Sequence, residues 1–405
     1  MTIMAYEGFE DSADVYPSPF SVTPHIPAFP SGATYWSSLP ITFTSGDVQG
    51  LCRQETVPAG TYTLNGGGVW ASSNVLTVPY HFPTVPSGSG VDYAVTLGFC
   101  AKLTAPTFTN NVINNSVILT NSVTVSSATP LYGSVASGSL VATLAQDVHV
   151  NVGGTQVNST PTFTVTWAGR SVTLSAPTDG AWHYYEFLGS IAAGQVSVSA
   201  RIDGGTVSTS TAVGIVPSGN ANVGLSITQG VTVNDAGNGT FGVPAGTYFN
   251  AVDDLYMYDS LGASPQYLSR VLVYQLLPTG DGVSSQWTND SGNSTANWSH
   301  VDSPSSQTSE YVSAASPNLT DLYQHAAIPT GVGTILAHQS SMYASGTGSV
   351  ESQVREAGGV ILNDPTVALT ATPTKYLGTI RTTDSAAAPL TPGYVNGLQI
   401  GEESL

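Results

Sequence analysis

Hydrophobic and polar residues alternate along this chain in short runs, most clearly near its middle. From Gln195 to Ile202, one parity carries Val196, Val198, Ala200 and Ile202 and the other Ser197, Ser199 and Arg201, the period of a half-buried strand. The stretch before it, Trp182 to Ile191, mixes bulky and polar residues. Ala192-Ala193-Gly194 supplies a turn, so the two stretches predict a β-hairpin closed by Asp203-Gly204-Gly205. Tyr93 to Leu103 puts Val95, Leu97, Phe99 and Ala101 on one face, and Ala221 to Val233 does the same with Val223, Leu225, Ile227, Gln229, Val231 and Val233, Gln229 being the single polar member; both read as core strands. Ala251 to Tyr258 is a further strand with Asp253 and Asp254 at its entrance. Shorter runs predict strands at Pro40–Thr44, Thr61–Leu64, Gly68–Val78, Val112–Leu119, Leu140–Leu144, Val148–Val152, Pro161–Trp167 and Ser171–Ser175.

The punctuation agrees. With 43 Gly and 25 Pro the chain favours many short strands over long helices, so the expected class is all-β. Val57-Pro58-Ala59-Gly60-Thr61-Tyr62 recurs as Val243-Pro244-Ala245-Gly246-Thr247-Tyr248, which reads as a reused strand entry and not as a duplicated domain. After Pro278 the chain becomes rich in Gly, Ser, Asn and Asp, which sets the expected division into residues 5–280 and a smaller β-rich module over 281–405. Strands are expected there at Thr320–Ile328, Thr334–Ser345, Val350–Arg355, Gly359–Leu362, Thr366–Thr370 and Tyr376–Arg381. Thr391-Pro392 fits an N-cap and first helical position, predicting one short helix to Leu398.

Charge narrows the function classes. Only 8% of residues are charged, and 26 acidic against eight basic ones give a net charge of -18. No basic patch can be assembled from so few cations, which argues against nucleic acid and against an anionic membrane surface. No apolar run approaches the length of a membrane span, so no membrane insertion is expected. The start, Met1-Thr2-Ile3-Met4-Ala5-Tyr6-Glu7, lacks the basic and apolar regions of a signal peptide. A composition suited to life outside cells, without an export signal, predicts a protein made in the cytoplasm and carried out within a particle. Cys52 and Cys100 form no disulfide framework and would pair only if their strands were neighbours.

The aromatic strand opening with Trp182, the strand ending in Asp203-Gly204 and the late Val252-Asp253-Asp254 together resemble neighbouring strands of the laminin-G-like, concanavalin-type jelly roll. The form resembles one found in structural proteins of tailed bacteriophages. The start Tyr6-Glu7-Gly8-Phe9-Glu10, the passage Tyr267 to Pro278 with Gly280-Asp281-Gly282, and Leu390 to Gly401 are similar to segments of such proteins. The resemblance implies a laminin-G-like jelly-roll sandwich followed by the smaller module. Its implied role is a non-enzymatic structural part of the virion, tail-associated or otherwise surface-exposed, whose partners are other virion proteins and further copies of itself. The alternative is a carbohydrate-binding adhesin for host surface glycans; a head decoration protein or a glycoside hydrolase ranks lower.

Candidate chemistry is sparse. Glycoside hydrolysis needs two carboxylates about 5–10 Å apart, but Glu186 stands alone on its strand, and Asp253 and Asp254, being consecutive, should point to opposite faces. No catalytic residue is expected. Laminin-G-like domains can hold calcium at a loop rim, for which Asp203, Asp253 and Asp254 are the candidates, against a structural role accepting backbone N–H groups at turns. The seven histidines are scattered without metal-ligand spacing. Sugar contact remains open to exposed aromatics, with Trp287 and Trp298 as the ligand-binding candidates and Trp36 and Tyr80 as further ones, core packing being the competing reading.

Overall fold

The computed structural model describes residues 2–7, 41–44, 51–57, 60–64, 68–78, 93–103, 117–127, 139–150, 156–192, 195–213, 225–235, 239–243, 246–259, 267–269, 271–302 and 310–405. The passage rich in Pro from 17 to 30, Trp36, Tyr80 and the side chain of Asp253 lie outside them. The chain divides into two compact units, with the break between Val273 and Tyr274.

The strands of the first unit begin with β1 (Thr2–Glu7), β2 (Ile41–Thr44), β3 (Leu51–Val57), β4 (Gly60–Leu64), β5 (Gly68–Val78) and β6 (Tyr93–Leu103). There follow β7 (Val117–Ser127), β8 (Val141–Val150), β9 (Gln156–Asn158), β10 (Thr162–Trp167), β11 (Arg170–Ser175) and β12 (His183–Ala192). The set closes with β13 (Gln195–Ile202), β14 (Ser208–Val213), β15 (Leu225–Asp235), β16 (Gly239–Val243) and β17 (Gly246–Asp259). They build two antiparallel sheets. The first runs β14-β13-β12-β6-β17-β3-β2, with β1 also on β17; the second runs β11-β10-β8-β7-β15-β5, with β9 also on β8.

Alternation makes these sheets pack. Val95, Leu97, Phe99 and Ala101 of β6, Tyr185, Phe187 and Ile191 of β12, and Val196, Val198 and Ala200 of β13 enter one core with Val123 and Val125 of β7, Leu144 of β8 and Phe163, Val165 and Trp167 of β10. At its centre Phe99 stacks on Tyr185 at 5.6 Å, and Phe163 lies 5.0 Å from Tyr185. This is the face-to-face antiparallel packing of a jelly-roll sandwich. The two expected strands at Leu140–Leu144 and Val148–Val152 are one continuous strand, because Gln146 and Asp147 pair with Asn121 and Thr120 and hold the ladder through the polar middle.

The repeated hexapeptide marks a corner. Val57 pairs with Gly246, and Gly60 with Val243, so the two copies face each other where both chains leave the large sheet for the small β4–β16 pair. Strand β17 also separates β3 from β6, which puts Cys52 and Cys100 on non-neighbouring strands about 10 Å apart, beyond the reach of a disulfide.

The second unit contains β18 (Pro278–Ser285), β19 (Thr288–Asn289), a 3-10 helix (Asn297–His300), β20 (Val312–Ser313), β21 (Thr320–His325), β22 (Ser341–Ala344) and β23 (Ser349–Arg355). It ends with β24 (Ile361–Asn363), β25 (Val367–Ala368), β26 (Thr374–Leu377), the helix α1 (Pro392–Asn396) and β27 (Gln399–Ser404). Its main sheet runs β18-β21-β27-β23-β24. Helix α1 starts as the sequence predicts: the Thr391 hydroxyl accepts the Tyr394 N–H and Pro392 occupies the first turn. Val395 and Leu398 then pack on Val354.

Candidate functional site

Part of the outward face of the first sheet is buried as deeply as its inward face. Tyr184, Glu186 and Leu188 of β12, Thr96 and Cys100 of β6, Ser199 of β13 and Tyr256 of β17 are all buried there. Register explains how they meet. Glu186 lies opposite Arg201 on one side and Gly98 on the other, and Gly98 lies opposite Tyr256. With no side chain on Gly98, the Tyr256 ring crosses β6 and its hydroxyl donates to Glu186 Oε1 at 2.7 Å. Arg201 Nε donates to Glu186 Oε2 at 2.5 Å, and the Ser269 N–H donates to Oε1 at 2.8 Å.

Residues 267–269 and 271–273 are bonded to this face. The Arg201 guanidinium sits 4.6 Å from the centre of the Tyr267 ring, the Tyr267 hydroxyl donates to Ser199 Oγ at 2.7 Å, and the Val273 N–H donates to Asp254 Oδ1 at 2.8 Å. Burial first, and then the Glu186 charge, push the Tyr256 hydroxyl far above its ordinary range, so it remains a donor. Glu186, fully buried, has a cation and two further donors on its two oxygens. Chemically, this arrangement neutralises a charge inside the fold.

Asp254 departs from the expected strand alternation. The pairing of β17 with β6 shifts between Asp253 and Tyr256, so a β-bulge inserts there, with Asp254 at φ 48°. The bulge sends Leu255 into the core, and Tyr256 takes its place opposite Gly98. Asp203 occupies the turn after β13 at φ 51°. Its Oδ1 accepts the Tyr184 N–H at 2.8 Å and its Oδ2 lies 2.6 Å from His183 Nδ1, while His183 Nε2 lies 2.8 Å from Asp179 Oδ1. Burial alone would lower the His183 pKa, but the bonds to Asp179 and Asp203 outweigh it and hold the imidazole above its ordinary value. Both Asp203 oxygens thus have protein partners, the Tyr184 N–H and the His183 ring. Among the described residues no group of three or more His, Cys, Asp or Glu is placed to hold a metal.

Trp287 and Trp298, distant in sequence from this face, are gathered into one loop of the second unit. Trp287 is half-buried, with its indole N–H donating to the Leu319 carbonyl at 2.9 Å. Trp298, also half-buried, lies in the 3-10 helix. Asp281 clamps that helix by accepting the Ala296 and Trp298 N–H groups at 2.6 and 3.1 Å, and Asn297 Nδ2 donates to the Trp287 carbonyl at 2.9 Å. Asn289 ties the loop before it, accepting the Ser291 and Asn293 N–H groups. Sequence reasoning singled out the two tryptophans but not these clamps, for which the turn-forming Asn289-Asp290-Ser291-Gly292 was the available signal.

The outward face of the second sheet has a different character. Thr124, Thr143, Thr164 and Thr173 form one row across β7, β8, β10 and β11, with hydroxyls 3.1 Å apart in the first and last pairs. Flanking rows contain Ser126, Val141, Thr166 and Ser171, and Ser122, Ala145, Thr162 and Ser175. None of these side chains is charged, and all are half-buried or exposed. Asp147, one row further, bonds to Thr120.

No family model matches the chain, and no curated protein matches it. Among solved structures, the CBM2 module of the evolved Dit of Lactobacillus casei phage J-1 is similar at 14% identity, over 65% of this chain and 97% of its own, with a TM-score of 0.28. Basic winged bean lectin is similar at 12% identity over 55% and 96%, with a TM-score of 0.21. The PL-14 alginate lyase of Aplysia kurodai is similar at 11% identity over 64% and 99%, with a TM-score of 0.24. At such identities and scores, none of them bears on what this chain does.

Proposed function

We propose that this protein is a non-catalytic structural component of a tailed-phage particle, tail-associated or otherwise exposed, and that it packs against its neighbours through the outward face of its second sheet. The Ser/Thr rows of that face carry the reading. In a chain of net charge -18, three adjacent rows free of charge are where another protein, including a further copy, can approach without burying an unpaired ion. The hydroxyls already bond across strands, so covering them leaves few donors unmet. The engagement of Glu186 by Arg201 and Tyr256 supports a scaffold over a hydrolase. The test is Thr164→Glu. The variant should melt as the parent does, since exposed substitutions shift stability by about 0.5 kcal/mol or less, yet fail to co-sediment with purified particles. Incorporation equal to the parent's, or particles that lack the protein altogether, would refute the proposal.

A second reading, glycan recognition, is favoured by the half-exposed Trp298 on a loop that Asp281 and Asn289 hold in one shape, since a preorganised aromatic beside amides is what sugar contact uses. Glycan-array binding lost in Trp298→Ala would establish it, and an array without signal would remove it.

A further inference from the structure

In the second unit, strand β27 lies between β21 and β23, and Glu402 stands directly opposite Asp321. Two carboxyl groups facing each other inside a sheet normally repel, yet here they meet on a single tyrosine. The Tyr323 hydroxyl is 2.9 Å from Asp321 Oδ2 and 3.1 Å from Glu402 Oε1. A phenol has one proton to donate, so it serves one carboxylate, and the other contact is a bond only if that carboxyl carries a proton of its own. Asp321, fully buried, also receives the Trp287 N–H and the Asn297 Nδ2, which makes it the charged member. Among the described residues no second donor reaches Glu402, which leaves the proton to it.

The described surroundings supply no compensating cation. Across β27 on the β23 side, Glu402 faces Ser352. The 3-10 helix contributes Asn297, and on β18 the residue opposite Asp321 is Ser285, while Asp281 is spent on the Ala296 and Trp298 N–H groups. Neighbouring Glu403 accepts Gln353 Nε2 and stands opposite Glu351. Among the described residues, no Lys, Arg or His pairs with Asp321 or Glu402.

We propose that Asp321, Tyr323 and Glu402 form a proton-sharing clasp that holds β27 in the middle of its sheet and loosens as the surroundings turn alkaline. Burial first, and then the Asp321 charge, push the Glu402 carboxyl up to about 8, against the opposing effect of the Tyr323 bond. A group raised in the folded state from its ordinary 4.5 contributes stability that is complete below 4.5 and is lost as pH rises through about 8. Beyond that point two carboxylates share one proton donor, and the strand between β21 and β23 is under repulsion.

Hydrogen exchange on the full chain tests this. Protection of the amides at 399–404, corrected for the intrinsic pH dependence, should fall by about a hundredfold between pH 6 and pH 9. Glu402→Gln keeps the shape of the neutral carboxyl and cannot ionise, so its protection should stay level, and Asp321→Asn should show a smaller fall than the parent. A parent whose protection does not change, a Glu402→Gln fall parallel to it, or an Asp321→Asn fall as large as the parent's would each overturn the clasp.

Discussion

Gly98 lets a tyrosine on one strand reach a carboxylate two strands away. A Cβ added there would lie 2.2 Å from the Tyr256 ring. Gly98→Ala must therefore displace Tyr256 from Glu186, and denaturant unfolding should show a loss of about 1–3 kcal/mol. Arg201→Ala leaves Glu186 buried without its cation. The expected loss is about 3–5 kcal/mol, a large part of a domain's total stability, read by the same measurement. His183 gives a pH signature in the first unit. Because its folded-state pKa is raised, its contribution is complete below the ordinary 6.5 and disappears as pH rises through the folded value. Melting temperature followed from pH 6 to pH 8 should decline more steeply in the parent than in His183→Asn, and parallel profiles would contradict the bridge to Asp179 and Asp203.

At the scale of elements, what could be read from sequence depended on whether strand pairing was local. Only two residues of sequence separate β12 from β13, so their pairing is local, and its register alone places Glu186 opposite Arg201. The pair was therefore within reach of sequence reasoning that had treated Glu186 as solitary. Tyr256 was not, since its position depends on the bulge at Asp254 and on a pairing with β6 more than 150 residues earlier. Likewise, the Thr rows require knowing that β7, β8, β10 and β11 are neighbours in that order; each strand separately shows only a polar alternate face. Helix α1 was legible because its cap is local. Thr391→Ala should cost about 1 kcal/mol, seen as a lower melting temperature of the second unit, and an unchanged melt would mean that the packing of Val395 and Leu398 fixes the helix by itself.

For the whole molecule, composition announced an all-β protein with little charge to spare, and the two units meet that description by different means. The first buries a continuous aromatic and aliphatic core between two sheets, whereas the second has a smaller apolar cluster and uses buried polar pairs such as Asp364 with Arg381. Within the sandwich, β17 separates β6 from β3, and β15 separates β7 from β5. A fragment ending at residue 213 lacks both inserted strands and presents unpaired edges on each side of two gaps, so light scattering should show it aggregating where the full chain stays dispersed.

The same threading order sets a timetable for biosynthesis. A nascent chain on the ribosome carries two incomplete sheets until residues beyond 225 emerge, and neither can close cooperatively before then. Maturation of the sandwich thus waits on translation of its own late segments, and the interval in which sticky half-sheets are exposed to other polypeptides lengthens wherever elongation pauses ahead of them.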